Sequence, residues 1–273
     1  MPYDLGATAR LTAECRDPGG ALTTAATAVV TVTLPDGTTA TPAVTEGDPG
    51  IYQADYPTTD PGRHEVRWVW TGPGHAYTDV FDVRDAAPPV ILSLADAKKH
   101  LNQKPNQTQD DDEVRFWNEA TTQCVEYFVG PVIPRAFSEL HRERQQSSLV
   151  LRRTPVIAVT AVEQLRVGGP AYDVGDLVVD EDTGRVSLAA GGYLRGPLRF
   201  TYTAGRTVVA ANIQGAARII LQHLWRTQLA QGRGGLPGGT DYSVTEPIPG
   251  LGYAIPNRAV QLLEPDRLPP GVA

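Results

Sequence analysis

A chain of 273 residues with 41% hydrophobic and 20% charged residues is globular in composition and long enough for one large domain or two ordinary ones. Its apolar runs are far shorter than a membrane span, and Met1-Pro2-Tyr3-Asp4 opens neither a basic nor an apolar leader, so the expectation is a chain made and kept in a cytoplasm with no membrane partner. Of its 31 acids and 24 bases, 12 and 5 fall in residues 1–88, leaving 19 and 19 beyond; an acidic front and a neutral back offer no basic patch to bind nucleic acid through its phosphates.

Residues 5–84 read as short strands separated by turns. Leu11, Ala13 and Cys15 alternate with Thr12, Glu14 and Arg16, and Val30, Val32 and Leu34 alternate with threonines until Pro35-Asp36-Gly37 turns the chain. Tyr52, Ala54 and Tyr56 follow Gly50 with the same period; Val66, Trp68 and Trp70 point one way while Glu65 and Arg67 point the other, and Val80–Val83 closes the series. A period of two gives each sheet one apolar face, so two sheets must pack together as an all-β sandwich. Gly50-Ile51-Tyr52 followed by Pro61-Gly62-Arg63-His64-Glu65-Val66-Arg67-Trp68 resembles the end of bacterial and phage immunoglobulin-like domains. Cys15 and Cys124 fall in different segments, which predicts two reduced core thiols.

The expected boundaries are a sandwich over 1–85 and a linker over 86–92, where Pro88-Pro89 disfavours helix and central strand alike. Helical periodicity then takes over. The spacing predicts helices over 93–103 (N-cap Ser93), 109–129 (Val114, Trp117, Thr121, Cys124, Val125 and Phe128 on one stripe) and 209–231 (Ile213, Ala216, Ala217, Ile220, Leu221 and Leu224). A β-rich insertion is expected over 136–203, with a hairpin from Leu177 to Leu188. The glycines from Gly232 to Gly239 begin a flexible linker and an extended arm over 232–273, with one short helical turn near Ala259–Leu263. The fold class is therefore multidomain: an all-β sandwich, an α+β domain over 93–231, and an arm.

No constellation of reactive groups emerges. Asp110-Asp111-Asp112-Glu113 points around a helix start and favours the helix dipole over a metal. Asp182-Thr183-Gly184 has the letters of an aspartic-protease triplet but sits in a hairpin turn without a second copy. The five histidines are scattered, and the glycine-rich stretch lacks the Lys-Ser/Thr of a phosphate loop. No residue is expected to be catalytic, cofactor-binding or metal-binding and no cofactor is expected: the chain is expected not to be an enzyme.

Residues 92–263 resemble the head–tail connector (adaptor) proteins of long-tailed bacteriophages. The matching residues are Leu94-Ala95-Asp96-Ala97-Lys98-Lys99-His100-Leu101, Asp110–Glu113 with Ala120 and Val125–Gly130, Ala217–Trp225, and Gly252–Ala259. The resemblance implies a virion structural protein, a ring subunit (twelve-fold) docked on the portal at the neck. It implies a downstream neck or tail partner of stopper or terminator type, with genomic DNA passing through the lumen ungripped. Expected contacts are Arg218, Trp225 and Arg226 on the long helix and Tyr253, Ile255 and Pro256 on the arm, whose removal (240–273) is expected to abolish portal attachment and leave a folded subunit. A surface- or carbohydrate-binding protein working through the immunoglobulin-like domain is the competing expectation.

Overall fold

Alternation of buried and exposed side chains marks the main strands within residues 3–84. These residues form β1 (Tyr3–Asp4), β2 (Thr8–Glu14), β3 (Thr27–Thr33), β4 (Thr39–Ala40), β5 (Val44–Glu46), β6 (Ile51–Pro57), β7 (Gly62–Thr71) and β8 (His75–Arg84). One sheet has the order β1-β8-β7-β3-β4 and the other β2-β6-β5. Ala9, Leu11 and Ala13 of β2 and Tyr52, Ala54 and Tyr56 of β6 meet Val30, Val32, Val66, Trp68 and Trp70 of the larger sheet in one core. This is a two-sheet sandwich with the strand orders of the immunoglobulin-like class, its short first strand attached to the sheet opposite the second strand. Trp68 and Trp70 stack with centroids 5.8 Å apart, and His64 is wholly buried, stacked on Phe81 at 4.9 Å.

The computed structural model describes residues 2–232 and 255–268, with a first unit over residues 1–88 and a second over 89–273. The second unit opens with α1 (Leu94–His100), capped by Ser93, whose side chain accepts from the Asp96 amide at 3.1 Å. α1 ends three residues short of the expected 103 because Asn102 turns left-handed, with φ 57°. The buried Lys98 ammonium then holds the loop by donating to the carbonyls of Pro105 (3.2 Å) and Gln107 (2.7 Å) and to Asp111 Oδ1 (2.6 Å). α2 (Asp111–Val129) buries Val114, Thr121, Cys124, Val125 and Val129 against α3 (Ala211–Gly232), whose Ile213, Ala216, Ala217, Ile220 and Leu221 supply the facing stripe.

Between α2 and α3 lies the β insertion: β9 (Arg135–His141), β10 (Ser148–Val150), β11 (Val156–Gln164), β12 (Leu177–Val179), β13 (Arg185–Leu188) and β14 (Leu198–Ala204). Two three-stranded sheets, β11-β14-β9 and β10-β13-β12, enclose a core of their own around Leu151, Val186, Leu194, Phe200 and Tyr202. The chain enters this layer at Gly130 (φ 72°) and leaves it at Gly205 (φ 140°). A Cβ on Gly130 would run into the Thr154 carbonyl oxygen, and one on Gly205 would lie 2.7 Å from Pro134 Cα, so both crossings require glycine.

The C-terminal segment departs from the expected extended arm. Asn257–Leu263 is a helix, α4, and its Ala259 and Leu263 are completely buried in the helical core. Asn212 Nδ2 donates to the Leu262 carbonyl (2.8 Å) and to Asp266 (2.7 Å), and the Leu268 amide donates to the Phe128 carbonyl (3.0 Å). The apolar pair four residues apart finds a groove against α3, and burial outweighs the extended form that the prolines favour. The glycine-rich stretch over 233–254 lies outside the described residues. Leu263→Ala is expected to cost about 2–5 kcal/mol of unfolding free energy, read as a lower urea midpoint for the transition of the second unit and none for that of the sandwich.

Candidate interaction surfaces

In the sandwich, β2 and β8 are neighbours across the gap between the two sheets, and among the described residues no strand closes them. β1 covers β8 only at Val83 and Arg84, and β2 pairs with β6 alone. Antiparallel pairing alternates, so residues that do not bond inward turn both backbone groups outward. On β2 the even-numbered residues face out: the Arg10 carbonyl accepts from the Tyr3 hydroxyl (3.3 Å) and the Arg16 amide donates to His75 Nδ1 (3.2 Å). On β8 the Val80 amide is taken by the carboxylate of its neighbour Asp79 (2.8 Å), which makes Ala76 and Thr78 the outward residues before it. Between the two side-chain stitches lies a cleft of about 520 Å³ lined by Thr12, Ala13, Glu14, Arg16, Ile51, His75 and Tyr77. Tyr77 and Asp79 stand opposite the buried Trp68 and Val66 on the inner face of their sheet, yet Tyr77 is 43% exposed because no strand lies over it. The Tyr77 hydroxyl donates to Asp79 (3.0 Å), and that bond holds its proton, raising its pKa.

In the second unit the residues expected at an interface divide. Trp225 is buried in the helical core of its own chain, so it is withdrawn as a contact: its ring fills the α3 stripe next to Leu224. Ile255 packs against that same core and the Pro256 carbonyl accepts from the Ala259 amide (2.8 Å), which gives both residues the job of seating α4 and corrects their role as a free anchor. Tyr253 lies outside the described residues. Arg218 is half-buried and Arg226 exposed on α3, and the charges of both bear on His100 of α1. Burial lowers the His100 pKa, the two guanidinium charges lower it further, and a hydrogen bond with the Arg218 backbone opposes them.

The acids at the start of α2 serve the fold: Asp111 pairs with Lys98 and Asp110 accepts from Gln107 Nε2 at 3.0 Å. At the hairpin turn, Asp180 accepts from the amides of Asp182 and Thr183, both at 3.1 Å, and these bonds hold its pKa down. Among the described residues no group of His, Cys, Asp and Glu is placed to hold a metal ion, and Cys15 and Cys124 are buried cysteines outside any disulfide.

One surface escaped the reading of the sequence. The solvent side of α2 carries Glu113, Phe116, Ala120, Gln123 and Tyr127, spaced three and four residues apart like the seam of a coiled coil. Phe116 is 61% and Tyr127 79% exposed. Each ring is braced edge-on against its neighbour, Phe116 on Trp117 (5.1 Å) and Tyr127 on Phe128 (5.3 Å). The spacing was available in the sequence, but the stronger stripe of Val114, Thr121, Cys124 and Val125 on the buried side masked it.

No protein-family model matches the chain, and no curated protein does. Among solved structures it is similar to the crystal structure of the Lin-41 filamin domain, at 21% identity over 30% of this chain and 82% of that one, with a TM-score of 0.27. That likeness carries no argument about function.

The His100 environment has a measurable consequence. A histidine whose folded pKa lies below its ordinary 6.5 favours the folded state above that value and penalises it as pH falls through and below it, because the unfolded chain takes up the proton first. The second unit is expected to lose stability between about pH 7.5 and 5.5, and His100→Gln to flatten that slope in urea titrations at the two pH values.

Proposed function

We propose that this chain is a structural subunit of a long-tailed phage virion, a head-to-tail adaptor that assembles into a twelve-fold ring on the portal. The next neck protein, of stopper or terminator type, docks on the far side, and DNA passes through the lumen. The order of elements supports this reading: two helices, a β insertion, a long helix and a short closing helix, over the residues that resemble the connector family. The observation that carries it is the seam on α2. The helical layer closes a core of its own and still leaves two braced aromatic rings uncovered on one helix face. Identical subunits in a closed ring meet through two different patches, and exposed aromatic anchors are the residues that concentrate binding energy in such contacts.

With α4 seated in the core, removing 240–273 takes away Ala259 and Leu263 and tests stability in place of docking. Negative-stain imaging of the full chain mixed with portal protein is the better test. Rings stacked coaxially on the portal are expected. Phe116→Glu combined with Tyr127→Glu should weaken assembly at least about tenfold, or 1.4 kcal/mol, with an unchanged circular dichroism spectrum, since neither ring serves the core. A chain that never associates with portal, or a double variant that assembles as well as the parent, overturns the proposal.

A further inference from the structure

The sandwich is left unfinished on one side, and the geometry there is specific. From Arg10 to Arg16, along β2 and the two residues after it, the outer edge is bridged among the described residues only at its two ends, by the Tyr3 hydroxyl and the His75 ring. Six residues of strand span about 20 Å, room for an extended segment of four to six residues. Across the gap, Ala76 and Thr78 of β8 turn their amides and carbonyls toward the same space, and Asp79 closes the run by occupying the Val80 amide. The cleft is thus walled by two open strand edges. Its one exposed ring, Tyr77, is tied to Asp79, so it offers backbone pairing far more than a stacking platform for a sugar.

We infer that this slot takes a β-strand from a partner protein, one bearing lysine or arginine, which adds to β8 by backbone hydrogen bonds at Ala76 and Thr78. The choice of β8 over β2 follows from charge. Arg10 and Arg16 flank the β2 edge, while Asp79 and Asp82 flank β8. Arg10 is paired with Asp55, Arg16 with Glu14 and Asp82 with Arg63; Asp79 has no ion pair among the described residues and stands two residues beyond the cleft-lining Tyr77, whose hydroxyl it holds. The sandwich as a whole sets 12 acids against 5 bases, which draws a cationic segment and repels a second copy of the same domain. Strand addition of this kind gains affinity from the main chain and specificity from alternate side chains. It also explains how so long an edge is left open in a folded domain: it is guarded by charge against like surfaces while remaining competent for an opposite one.

The test is amide hydrogen exchange on the full chain with a blocked heptapeptide of alternating lysine and valine at millimolar concentration. The comparators are a glutamate–valine heptapeptide and a chitin hexasaccharide. Exchange at Ala76 and Thr78 should slow at least about tenfold with the basic peptide and remain unchanged with the other two. Thr78→Pro, which removes an outward donor, should abolish the protection; should that variant fail to fold, Asp79→Lys decides, because that residue is exposed and its change should weaken the effect at least about tenfold. No protection by the basic peptide, equal protection by the acidic one, protection by the saccharide alone, or an Asp79→Lys chain that binds as the parent does would each overturn the inference.

Discussion

The second unit depends on the paired crossings between its helical layer and its β layer, at Gly130 and Gly205. Glu126, near the end of α2, accepts two hydrogen bonds from Arg135 at 2.8 and 2.6 Å and a third from the Val132 amide at 2.9 Å. On the return path the Arg206 guanidinium donates to the carbonyls of Val129 (3.0 Å) and Pro131 (3.1 Å) and lies 4.0 Å from Asp266; its burial lowers its pKa. Helix C-termini leave carbonyls without partners, and here one arginine serves that of Val129 together with the Pro131 carbonyl just beyond the cap, while drawing in the C-terminal segment. Each crossing is a charge-assisted network with its partners present, the condition under which buried charge does not penalise a fold. Remove them, and the two cores of this unit lose their common anchor.

The two units treat their surfaces differently. The sandwich buries its aromatics so completely that Trp68, Trp70 and His64 are all within 1% of full burial, yet it leaves backbone edges open. Along their length the helices satisfy their own backbone ladders, so the helical layer leaves mainly side chains instead. Each type of secondary structure can advertise a docking surface only through the groups it does not already use. The strand addition and the aromatic anchoring proposed above would use those leftover groups, and neither would require a reactive residue.

Much of this was legible along the chain. The period-two runs at Leu11–Cys15, Val30–Leu34, Tyr52–Tyr56 and Val66–Trp70 became β2, β3, β6 and β7, because a half-buried strand imposes that alternation directly on the residues. The stripe of Ile213, Ala216, Ala217, Ile220 and Leu221 placed the core face of α3 for the same reason at a helical period. The errors share a cause. Along the sequence Trp225 is available to a neighbour and Ile255 and Pro256 belong to an arm; the structure seats all three, because the groove that takes them is assembled from residues far away in sequence. A short apolar helix beyond a glycine-rich stretch carries no local mark of what it packs against.

What the residues alone determined is periodicity, and with it which face of each strand or helix turns away from water. The tertiary structure decided what was left over: that β1 stops after two residues and so leaves β8 open, that α4 closes the helical core, and that Phe116 and Tyr127 stay outside it. Those outcomes depend on pairing between distant segments, where the number of strands and helices available to cover a surface, and not the pattern on the surface itself, settles whether it is buried.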